Sequence, residues 1–75
     1  MYHTIEFQVD VPVALEVSPK QPLERILLRA GSRRRAEIKP YVVDTPEGPV
    51  EVADLFFDDG TATRAIPFRL FSFID

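Results

Sequence analysis

Three groups of side chains in this chain could carry chemistry: the lone histidine His3, the adjacent carboxylates Asp58 and Asp59, and the arginine run Arg33-Arg34-Arg35. A transition-metal centre needs several converging nitrogen or sulfur ligands. There is no cysteine and no second histidine, so His3 has no companions from which to build one. Standing beside Tyr2 in the apolar phase of an alternating segment, His3 reads as a half-buried residue at a strand end. Two neighbouring carboxylates in a turn supply too few oxygens for a hard cation. Ser18, Ser32 and Ser72 have no histidine at a spacing suited to activating a hydroxyl. Acid–base work by paired carboxylates needs a cleft, and 75 residues leave little volume for one. The expectation is a non-enzymatic protein that carries no cofactor.

The arginine run is the remaining candidate. Guanidinium groups offer planar forks of donors to phosphates and carboxylates, so Arg33, Arg34 and Arg35 form an anion-binding candidate, with Arg25 and Arg29 in the same basic segment. Charge is strongly polarised along the chain. Residues 20–39 carry Lys20, Arg25, Arg29, Arg33, Arg34, Arg35 and Lys39 against only Glu24 and Glu37; residues 44–59 carry six acidic side chains and no lysine or arginine. The net charge of −3 and pI near 5.0 disfavour a dedicated nucleic-acid binder, whose domain is normally basic overall. Nucleic acid or another anionic ligand is therefore the second expectation. The first is that the arginines are the charges of a solvated turn and strand edge, which keep that edge from pairing with other chains. A third is that the basic segment meets the acidic one of a neighbouring copy, which suits a symmetric dimer.

The elements that must position these residues are strands. Between His3 and Val17 nearly every odd-numbered residue is apolar (Ile5, Phe7, Val9, Val11, Val13, Leu15) and most even ones are polar, the period of two that places alternate side chains on opposite sheet faces. Pro12 lacks an N–H and predicts an interruption, with strands at about 2–11 and 13–17. Ser18–Pro22, with two prolines, is a loop. Pro22–Ala30 is open to two readings. As a helix it has Pro22 at its first position and Gly31 as its stop; as a strand it leads through a Gly31-Ser32 turn into Arg33–Ile38. Strands at about 35–43 and 50–57 follow, separated by the turn-forming run Asp44–Pro49. Asp58–Thr61 predicts a tight hairpin turn, with the Asp59-Gly60 pair taking positive φ angles, before a last strand at about 62–74.

Five to six short strands predict an all-β fold, a small antiparallel barrel or roll formed by one domain over residues 1–75. The alternative is an α+β domain with one short helix at about 22–30 packed on an antiparallel sheet. No apolar run approaches the ~20 residues that cross a bilayer, and no basic start with an apolar stretch marks a secretory signal, so a cytoplasmic location without membrane contact is expected.

The last strand is apolar on both phases, with Ile66, Phe68, Leu70 and Ile74 on one and Phe71 and Phe73 on the other. A strand with one wet face should not show this pattern. Either the phase changes near Pro67 or Ser72, or one face meets a partner. A domain this small draws only ~3–5 kcal/mol of net stability from a single core. Phe68, Phe71 and Phe73 are accordingly the expected interaction residues of a self-associating module or accessory subunit.

Overall fold

The computed structural model describes all 75 residues. In chain order its elements are β1 (His3–Phe7), β2 (Val11–Leu15), β3 (Glu24–Leu28), β4 (Arg33–Thr45), β5 (Gly48–Phe57), β6 (Ala62–Pro67), a single 3₁₀ turn (Phe68–Leu70) and β7 (Phe71–Phe73). The fold is all-β. Five strands form one antiparallel sheet in the order β6-β5-β4-β1-β7, and β2 pairs with β3 in a second. No helix is long and apolar enough to cross a membrane.

The alternation seen in the sequence builds the core. Ile5 and Phe7 from β1, Val11, Val13 and Leu15 from β2, and Leu55 and Phe57 from β5 all point into one cluster, closed by Leu28, Ala36, Ala53, Ile66 and Phe71. Ile5, Phe7 and Leu55 are wholly enclosed. Every inward residue on β1 and β2 is odd-numbered, as the period of two requires.

Two expectations are corrected, and one open alternative is decided. The first is the interruption, which lies at Gln8–Asp10 and not at Pro12. Pro12 sits inside β2 opposite Leu27. The backbone groups of Glu16 bond to Ala62 on β6, at 2.7 and 3.0 Å, so even-numbered residues of β2 aim their backbone away from β3. The donor that Pro12 lacks would therefore face the β6 side, where no ladder needs it. The chain breaks three residues earlier because Gln8, Val9 and Asp10 turn it over the end of the sheet. There Asp10 Oδ1 accepts the Ala30 N–H at 2.8 Å.

Second, the helix at 22–30 does not form. Nine residues make a marginal helix, and here β2 offers the segment an antiparallel partner along its whole central stretch, from Leu15↔Glu24 to Val11↔Leu28. Third, the β5–β6 turn takes positive φ only at Gly60 (88°), with Asp59 in an ordinary conformation. Phe57 N–H donates to Thr61 O at 2.8 Å, and Gly60 N–H to Phe57 O at 3.1 Å. This is a three-residue hairpin loop with glycine in the left-handed position.

The last strand splits at Pro67. Its two parts become the opposite edges of the five-stranded sheet, joined only by the three residues of the 3₁₀ turn. That turn changes the side-chain phase, so Ile66 of β6 and Phe71 of β7 both enter the core. The two sheets pack on this one core and share a single isolated backbone bridge, Glu16 with Ala62.

Candidate functional site

The arginine run does not form one patch. Strand geometry separates neighbours, so Arg34 shares the inward phase of Ala36 while Arg33 and Arg35 lie on the opposite face. Arg33 donates through Nε to Glu6 Oε1 at 3.1 Å, its register partner on β1. The Arg34 guanidinium covers the ring of core residue Phe57, 5.1 Å from its centroid, and closes that end of the interior. Arg35 alone has an exposed head without a carboxylate partner.

The phenylalanines do converge. Phe68 and Phe71 lie 5.2 Å apart between ring centroids, Phe71 and Phe73 lie 6.1 Å apart, and His3 meets Phe73 edge-on at 5.3 Å. Their availability differs. Phe71 is 5% exposed and belongs to the core of its own chain. Phe68 is half-buried against the same core. Phe73 is 47% exposed, at the end of a three-residue edge strand. The trio is mainly an aromatic plug on the interior, with one open member. His3 is half-buried beside it, 3.6 Å from Asp75.

Two features have no counterpart in the sequence reading. One is a polar cluster on the outer face of the large sheet. Asp54 Oδ1 accepts from the Tyr41 hydroxyl at 2.8 Å and from the Ala65 N–H at 3.0 Å, and Oδ2 accepts from Arg64 at 3.1 Å. Arg64 also reaches Glu16 at 3.4 Å and lies over the Phe56 ring at 5.1 Å. Partial burial pushes the Asp54 carboxyl upward, but the hydrogen bonds from Ala65, Tyr41 and Arg64 outweigh it and leave the group below the ordinary carboxylate range. The same Asp54 contact raises the Tyr41 phenol. This cluster ties β2, β4, β5 and β6 together. A groove of about 470 Å³ opens alongside it, between the unpaired parts of β2 and β6, lined by Val11, Val13, Leu23, Ile66, Pro67 and Leu70.

The other feature is an arm. β4 and β5 stay in register from Ala36↔Phe57 to Thr45↔Gly48, but β1 covers β4 only as far as Ala36 and β6 covers β5 only from Val52 onward. The segment 40–51 therefore leaves the sheet as a two-stranded ribbon. It carries exposed Tyr41, Val42 and Val43, with Val42 at 58%. Backbone directions along β4 follow from two bonds. Arg35 O faces the β5 side, accepting from Asp58 N–H, while Ser32 O faces β1, accepting from Phe7 N–H. Even-numbered residues of β4 thus aim outward, and past Ala36 the positions Ile38, Pro40, Val42 and Asp44 form a bare edge. Pro40 has no donor to show there, which blunts the edge near the body of the protein. Val42 and Asp44 remain open. The apolar triplet Tyr41-Val42-Val43, oily on both phases, is the signal in the sequence that could have revealed this arm.

Compared with known proteins, the chain matches no family model, no curated protein and no solved structure.

Proposed function

We propose that the protein is a non-enzymatic interaction module that associates with copies of itself through the β4–β5 arm. One observation carries the reading: an unpaired strand edge over Ile38–Asp44, directly beside exposed Tyr41, Val42 and Val43. A lone two-stranded ribbon is marginal in water, and an exposed edge with apolar side chains is a template for another chain. The C-terminal phenylalanines hold a smaller share of this role, because Phe71 is enclosed and Phe73 spends much of its surface on His3 and Phe71. In the same proposal the two sheets form an open roll, a reading supported by the short 3₁₀ connection between opposite sheet edges, and the protein works in the cytoplasm. Binding of an anion or nucleic acid through Arg33–Arg35 is the weaker proposal, since the three guanidinium groups point to two faces and two of them are engaged within the chain.

Sedimentation velocity over a dilution series tests the leading reading. Self-association should appear as concentration rises and should be lost in Val42→Glu, whose new charge would lie at an exposed position that leaves the core untouched. A wild-type chain that sediments as a monomer at every concentration overturns it.

A further inference from the structure

Resting on the proposed self-association, we infer that the acidic arm of one copy pairs antiparallel with the free edge of β3 in a second copy, and that the contact is reciprocal about a two-fold axis. β3 is bonded to β2 on one side and to no strand on the other. The even-numbered residues of β2 face β6, so its odd ones face β3. Through the register Val13↔Ile26, the even residues of β3 then face β2 and the odd ones face out. Its bare edge is therefore Arg25 and Leu27, both exposed, with Leu27 at 45%.

The arm offers Val42 and Asp44 at the matching spacing of two. Setting them antiparallel opposes Val42 to Leu27 and Asp44 to Arg25 of the second copy, one apolar and one charged cross-strand pair on the same face. The other face then brings Val43 beside Ile26, which is half-buried against the core of its own chain. Pro40, unable to donate, falls opposite Arg29 at the margin of the pairing. Charge supports this occupant over another. The arm from Pro40 to Glu51 carries Asp44, Glu47 and Glu51 and no cation, whereas the segment around β3 carries Lys20, Arg25 and Arg29 against Glu24. Two copies exchanging arms satisfy both bare edges at once and close the assembly at two.

Charge exchange tests the pairing. Arg25→Glu alone and Asp44→Arg alone should each weaken the dimer about tenfold or more at low ionic strength. An equimolar mixture of the two should recover wild-type association, because within the mixed pair one contact is native and the other has its charges swapped. Both sites are exposed, and circular dichroism of each variant checks the fold. As a second readout, a mixture of Val42→Cys and Leu27→Cys chains should give an intermolecular disulfide on mild oxidation, in a protein that otherwise lacks cysteine. A dimer indifferent to both charge reversals, or one that does not crosslink, overturns this pairing and leaves self-association standing. A monomer at all concentrations overturns both.

Discussion

The backbone N–H of Ala65 donates to the Asp54 carboxylate at 3.0 Å, at a point where Ala65 is held at φ 57°. On β5, Ala53 opposes Ile66 and Leu55 opposes Thr63, so Asp54 faces two residues, Arg64 and Ala65, across a bulge. The carboxylate occupies the place of a ladder acceptor that the bulge has displaced. A left-handed conformation costs an alanine about 1–2 kcal/mol, and this contact helps hold it.

Replacing Ala65 by glycine removes that strain without removing the N–H. Ala65→Gly should raise stability by about 0.5–1 kcal/mol, offset partly by the added freedom of the unfolded chain. Asp54→Ala leaves the Ala65 N–H, the Tyr41 hydroxyl and Arg64 without their acceptor and should lower stability by about 2 kcal/mol. Urea denaturation midpoints at neutral pH check both.

Acid should destabilise the fold through specific carboxylates. Asp59 is held below its ordinary range first by the Thr61 hydroxyl, at 2.6 Å, and then by the Thr61 N–H, while Asp54 is lowered by the bonds described above. A carboxyl depressed in the folded state contributes stability that is complete above the unfolded value, near 4, and disappears as pH falls through the lower folded value. Thermal melts from neutral to strongly acidic pH should show a falling midpoint below the ordinary carboxylate range. Thr61→Val should reduce that fall, because it removes the hydroxyl donor.

Phe71 and Phe73 lie two residues apart on one short strand and should behave differently. Phe71→Ala opens a cavity in the interior and should cost about 3–5 kcal/mol, enough to unfold much of the population of so small a domain. Phe73→Ala trims a half-exposed ring and should cost about 1 kcal/mol or less. Near-ultraviolet circular dichroism with thermal melts separates the two.

The arginine run makes a similar contrast. Arg34→Ala uncovers Phe57 and should cost about 0.5–1 kcal/mol. Arg33→Ala removes an exposed pair with Glu6, and Arg35→Ala removes an unpaired head, so each should change stability by no more than about 0.5 kcal/mol. Equal losses at all three positions in denaturant titrations would contradict the split between faces.

The strands were legible because burial imposes a period of two, and β1 and β2 obey it without a missed residue from Ile5 to Phe7 and from Val11 to Leu15. The turns at Pro46-Glu47 and Asp58–Gly60 were legible from residues that strands exclude. Pro12 misled because a missing donor matters only on a bonded side, and which side is bonded depends on β6, fifty residues away. The segment 22–30 satisfied both periodicities, and only its pairing with β2 decides between them. The same limitation hid Asp54, whose partners Tyr41, Ala65 and Arg64 meet it only through the register of three strands. Arg33–Arg35 form a cluster in one dimension that the pleat divides between two faces.

The first and last strands are hydrogen-bonded neighbours, with Thr4 N–H donating to Asp75 across a separation of 71 residues. β1 cannot be satisfied locally, because its second neighbour, β7, follows every other strand of the fold in chain order. Closure of the sheet at β1 must await all the strands in between, and such remote pairings slow the search for the native state. Until then the oily flank of β1 stays uncovered, so a nascent chain of this topology has reason to need shielding by chaperones.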